Sequence, residues 1–259
     1  MRISGTYFAA ALAFAGPASA ADLYTVEEPI PAITEPGGFE ARWQVNAAVY
    51  LFAPSLEGTV GVGGLPTVDI DAKFSDLLDH LDFAFMAVAE VRRDRIGIFG
   101  DLLYTKLSLD GTGPGGLLNA SLTNQLIIGT LMGEYRVAEW GQSSVDLMAG
   151  ARVWGVTNDL SISGLGSASD DQYWVDPMIG VKSRLQGASR WYLTGWAMIG
   201  GFGVSSDIDW DLFGGIGYEV SDRISLVGGY RGVGVDYSSG GFVFDVIEHG
   251  PILGGVFRF

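Results

Sequence analysis

With 17% charged residues and a positive mean hydropathy, this 259-residue chain is too apolar for an ordinary soluble surface, yet no internal run reaches the ~18 apolar residues that a spanning helix requires. A formal net charge of −15 excludes nucleic acid as a partner, because a polyanion is bound by clustered Lys and Arg that displace counterions. The absence of cysteine removes disulfide frameworks and thiolate chemistry.

Residues 1–20 read as a secretory signal: Arg2 supplies the basic start, Tyr7 to Ala15 the apolar stretch, and Ala18-Ser19-Ala20 the cleavage box. Residues 21–41 carry Pro29, Pro31, Pro36 and the glutamates Glu27, Glu28, Glu35 and Glu40 without periodicity, and read as an extended periplasmic linker. Alternation begins in the remaining domain, residues 42–259. Trp43, Val45, Ala47, Val49 and Leu51 share one parity, and Arg42, Gln44 and Asn46 take the other.

Pro54 interrupts that strand. Ser55 to Leu81 is the least regular stretch, with two short β-like pieces around Gly63-Gly64. Phe74, Leu77, Leu78 and Leu81 then recur at helical spacing behind Ser75, a candidate N-cap, which predicts about two turns of helix. Its apolar residues need cover, so the helix is expected across the rim or in the mouth of the fold.

Strands follow in quick succession. Phe83, Phe85, Ala87 and Val91 oppose Met86, Glu90 and Arg92; Ile96, Ile98 and Leu102 oppose Asp101. Loops are expected at Asp110 to Gly116 and Gly164 to Asp171. Between them, Leu147, Ala149 and Val153 oppose Asp146, Arg152 and Trp154. Tyr173, Val175 and Ile179 oppose Asp176, Lys182 and Arg184; Ile208, Trp210 and Leu212 oppose Asp207, Asp209, Asp211 and Glu219. Arg231 falls on the polar parity of the next strand. The closing strand ends on Phe257 and Phe259, which share a parity and resemble the terminal signal that barrel-assembly machinery reads.

Strands with one apolar and one mixed-charge face, linked by alternating tight and long turns, predict an all-β fold. It is an antiparallel up-and-down transmembrane barrel of about ten strands, with a short helix in an early loop. Eight or twelve strands are the alternatives, twelve if both pieces of Ser55 to Leu81 span the membrane. A closed barrel leaves no unpaired edge in lipid.

The phrases Trp174-Val175-Asp176-Pro177, Gly200-Gly201-Phe202-Gly203-Val204, Gly229-Tyr230-Arg231 and Gly241-Phe242-Val243-Phe244-Asp245 resemble a family of uncharacterised proteobacterial outer-membrane β-barrel proteins. Leu77 to Phe85 and Gly150 to Trp154 are similar to it too. The resemblance implies an outer-membrane barrel and brings no established activity.

The expected lumen lining is Glu90, Arg92, Asp101, Arg152, Asp176, Lys182, Arg184, Asp207, Asp209, Asp211 and Arg231. Asp207, Asp209 and Asp211 could hold a hard cation. Same-face neighbours about 7 Å apart favour a salt-bridge ladder instead, so neither a metal nor another cofactor is expected. His80 and His249 are the only histidines, and no Walker loop, GxSxG elbow or HExxH helix is present; no catalytic residue and no enzyme activity are expected. The expected role is a structural or surface-interaction barrel with a largely closed lumen, in contact with outer-membrane lipid, lipopolysaccharide and the barrel-assembly machinery. The alternative is a narrow porin-like channel for small solutes or cations.

Overall fold

A computed structural model describes residues 43–61, 66–112, 119–162 and 166–259. The expected signal and linker, residues 1–41, and Gly63-Gly64 lie outside the described residues. Among the described residues twelve strands form one antiparallel sheet: β1 (Trp43–Phe52), β2 (Ser55–Gly61), β3 (Val68–Ala72), β4 (Leu81–Arg93), β5 (Ile96–Thr112), β6 (Asn119–Trp140), β7 (Ser143–Ile162), β8 (Gly166–Gln186), β9 (Trp191–Gly201), β10 (Ile208–Glu219), β11 (Ile224–Ser239) and β12 (Phe242–Arg258). One helix, α1 (Phe74–Leu78), stands between β3 and β4. β1 pairs with both β4 and β12, which closes the cylinder.

The twelve strands make ten staves. β12 pairs with β1 up to Phe52↔Ile252 and resumes with β2 at Ser55↔His249, with no change of register. β1 and β2 are therefore one stave, nicked at Ala53-Pro54 because proline has no N–H to give the ladder. The Ala53 N–H still reaches the Pro251 carbonyl at 3.0 Å. β3 and β4 likewise flank this stave in sequence, β3 against β2 and β4 against β1, with residues 73–80 looped out between them. The open question of ten or twelve spanning strands is thus settled by collinearity.

Side chains alternate as a membrane barrel requires. Leu51, Ile98, Leu131, Ile179, Leu212 and Leu253 face outward and are exposed. Trp43, Tyr135, Trp140, Trp191 and Phe257 ring the end that carries the short turns, with Trp191 against Tyr218 at 4.8 Å between centroids. Phe83, Phe85 and Tyr173 lie toward the other end. No helix among the described residues is long and apolar enough to cross a membrane; the strands do it.

β6, β7 and β8 run for 22, 20 and 21 residues, about twice the 9–11 that cross the hydrocarbon core. The loops expected at Asp110 to Gly116 and Gly164 to Asp171 are accordingly shorter than read, because ladder pairing continues to Thr112↔Asn119 and Ile162↔Gly166. Polar outward pairs such as Tyr104 with Gln125 and Ser108 with Asp82 mark this wall as standing clear of lipid.

Candidate functional site: the barrel lumen

Three layers fill the lumen. The layer farthest from the short turns is aromatic. Trp174 stacks on Tyr237 at 4.0 Å and 2° and on Trp154 at 5.8 Å and 4°, with Phe242 and Phe244 against its edges. These residues take the inward parity of β7, β8, β11 and β12, so large rings from facing staves meet on the axis. The Trp174 Nε1 is the one buried side-chain donor among the described residues without a partner.

Below lies a layer of buried charge. Arg231 on β11 donates to Asp101 on β5 at 2.5 Å, to Asp211 at 2.7 Å and to the Tyr50 hydroxyl at 2.6 Å, while Tyr50 donates to Asp101 at 2.7 Å. Arg152 on β7 donates to Asp209 at 2.7 Å, Asp211 at 2.6 Å and the Thr130 hydroxyl at 2.8 Å. Trp154 and Trp196 each add an indole N–H, to Asp209 and Asp211 respectively, both at 2.8 Å. Both arginines are at most 1% exposed, and they run from wall to wall rather than along one strand. Asp101, Asp209 and Asp211 each have at least two donors, the condition under which charge can be buried.

A third layer near the short turns joins Arg92 to Glu90 at 2.9 Å, Glu134 at 2.5 Å and Asp146 at 3.1 Å. Lys182 reaches across from β8 to Glu90 at 2.9 Å and to Glu134. Between the two charged layers Met132, Met148, Met178 and Met198 pack with Phe99. A Cβ at Gly200 would lie 2.1 Å from the Met178 sulfur, so glycine there makes room for the thioether chain.

Beside this layer a cavity of about 520 Å³ opens at the short-turn end, where Gln142, Arg184, Glu219 and Arg258 form its rim and Phe99, Trp196 and Phe213 its floor.

The expected lumen residues are distributed as follows. Glu90, Arg92, Asp101, Arg152, Lys182, Asp209, Asp211 and Arg231 point inward and join the contacts above, and Arg184 stands on the cavity rim. Asp176 is inward and buried, but it accepts from the Ser206 N–H at 2.9 Å and hydroxyl at 2.6 Å and holds the bend after β9, so it is no rung of a ladder with Arg152. Asp207 is a correction. It is exposed, because it lies in that bend before β10 begins at Ile208, and its N–H donates to the Asp236 carbonyl at 2.8 Å.

The rim helix is also corrected. α1 ends at Leu78, Leu81 opens β4, and the N-cap is Lys73, whose N–H donates to the Asp76 carboxylate at 3.3 Å, rather than Ser75. None of its residues is buried and Leu78 is 51% exposed; the lumen is filled by stave side chains instead. Phe257 and Phe259 both face outward, and the Phe259 N–H donates to the Val45 carbonyl at 2.9 Å. His249 points out of the barrel, between the Tyr230 hydroxyl at 2.7 Å and Glu57 at 3.4 Å. His80 is exposed in the turn after α1.

Sequence reasoning passed over Tyr50, Glu134, Trp154, Trp196, Glu219 and Arg258 as site residues. Parity was the available signal: Trp154 lies two residues after Arg152 and Glu134 two before Arg136, each on an inward face.

No protein-family profile matches the chain, and no curated protein does. Among solved structures, the outer membrane protease OmpT from Escherichia coli matches with a TM-score of 0.53 at 12% identity, over 83% of this chain and 97% of that one. The translocator domain of the autotransporter NalP from Neisseria meningitidis gives 0.47 at 15% identity, over 84% and 88%. Ail of Yersinia pestis gives 0.37 at 12%, over 84% and 98%. Since a protease is built on this fold, the expectation that the chain is no enzyme is withdrawn: the barrel architecture gives no ground for it. At such identity the likeness extends to fold alone. Together with the apolar outer wall, it identifies the chain as a bacterial outer-membrane β-barrel.

Proposed function

We propose that this barrel does not conduct and has a structural or surface-interaction role in the outer membrane, within the proteobacterial family its sequence phrases resemble. The single observation that carries the reading is the Arg231–Asp101 bridge, which joins staves on nearly opposite sides of the cylinder and is buried at both ends. A wide aqueous pore has no room for side chains that meet across its axis. The aromatic layer adds a second closure on the side away from the short turns.

In this reading the outer wall meets lipid and lipopolysaccharide, and the tall wall formed by β5 to β8 presents the contact surface. Purified protein in planar bilayers is expected to give flat current traces at voltages that porins tolerate. Discrete, reproducible conductance steps would overturn the sealed reading in favour of a narrow channel.

A further inference from the structure

We propose that the cavity at the short-turn end is a binding site for a small organic oxyanion, a carboxylate or phosphate head on an apolar body. The cavity is of ligand size, about 520 Å³ against the ~300–1,000 Å³ of small-molecule pockets.

The head-binding group is built at its rim. Arg184 on β8 lies with its guanidinium carbon 3.4 Å from the Tyr192 ring centroid, and Tyr192 in turn rests on Gly217, where a Cβ would come within 2.0 Å of the ring. The guanidinium is thereby held flat. Its side-chain hydrogen bonds, to Gln186 at 2.5 Å and Glu219 at 2.8 Å, both leave from Nη2, so the Nε and Nη1 protons have no carboxylate among the described residues. Arg258 on β12 reaches the same Glu219 oxygen at 3.0 Å. Two guanidinium forks converge on one carboxylate at the rim, while elsewhere in the lining Arg136 and Lys182 stand against Glu90, Glu139 and Asp146. Planar oxyanions pair with such forks in a way that a lysine does not match.

The apolar part follows from position along the same staves. Inward from Arg184 and Arg258, Trp196, Phe213 and Ile252 give the deeper cavity an apolar side, opposite the paired Glu90 and Lys182. A ligand enters body first and leaves its head at the arginines. Glu219 is then a resident competitor for the head group. The site requires only the rim and floor residues, and it stands whether or not the lumen conducts.

Titration calorimetry on the folded protein in neutral maltoside micelles tests this, with phenylacetate, phenyl phosphate and benzyl alcohol as probes and empty micelles as blank. Saturable binding of at least one anion is expected, with benzyl alcohol at least tenfold weaker; the better anion identifies the head. Arg184→Gln should weaken anion binding at least tenfold, and Glu219→Gln should strengthen it at least threefold, a gain that a purely structural Glu219 would not produce. If Arg184→Gln fails to fold, Arg184→Lys, which keeps the charge and loses the fork, carries the same expectation. No saturable heat with either anion in both the native protein and Glu219→Gln overturns the proposal. So does equal affinity for benzyl alcohol, or an Arg184 variant that binds as the native protein does.

Discussion

Asp211 is the acceptor on which the buried charges converge, taking hydrogen bonds from Arg152, Arg231 and Trp196. Removing one arginine leaves carboxylates stranded in a place water reaches poorly, and breaking a buried pair costs about 3–5 kcal/mol. Arg152→Leu should destabilise the barrel by that amount, read from denaturant unfolding in phospholipid vesicles. A loss below about 1 kcal/mol would mean that lumen water substitutes for the guanidinium. On the outer wall the sign of the argument depends on depth. Ile179→Arg, in the middle of the apolar belt, should cost about 2–4 kcal/mol, and Leu147→Arg, which pairs with the girdle residue Tyr135, about 0–1. Equal values at the two positions would contradict a lipid-facing belt.

At the scale of elements, the ten-stave reading and the lumen parity were legible because a strand's side chains repeat every two residues, and a single misplaced residue inverts the whole face. Glu90 with Arg92 and Asp209 with Asp211 were visible for that reason. Three things were not. Pro54 looks like the end of a strand in sequence, and only pairing of β12 on both sides of it reveals one stave. The Arg231–Asp101 bridge joins residues 130 apart, a proximity set by closure rather than by local pattern. Asp207 continues the alternation of β10 in sequence but lies beyond its ladder. The apolar spacing of α1 was real, yet five residues are too few to bury a face, and the loop-out at 73–80 leaves the staves beside it paired. Replacing residues 74–80 by a short Gly/Ser bridge should therefore leave bilayer current flat and assembly intact. A rise in conductance would show that α1, and not the lumen layers, is the closure.

For the whole molecule, the contacts of Arg231 with Asp101 on the far wall can form only after β1 has met β12 and the cylinder is complete. Interactions absent from the transition state act on the unfolding rate. Arg231→Met should thus speed unfolding by about a hundredfold, equivalent to about 3 kcal/mol, and change the folding rate by less than about threefold. A slowed folding rate of similar size would place the bridge in the nucleus.

That ordering bears on how the chain enters a membrane at all. Arg231 and Asp211 already stand on the paired strands β11 and β10, but Asp101 meets Arg231 only across the closed cylinder, so until closure the nascent lumen carries hydration inward with that carboxylate. The interior begins as a droplet and ends as a dry joint. Loss of that water is expected to accompany closure, and the aromatic layer at one end leaves it the short-turn mouth as the way out.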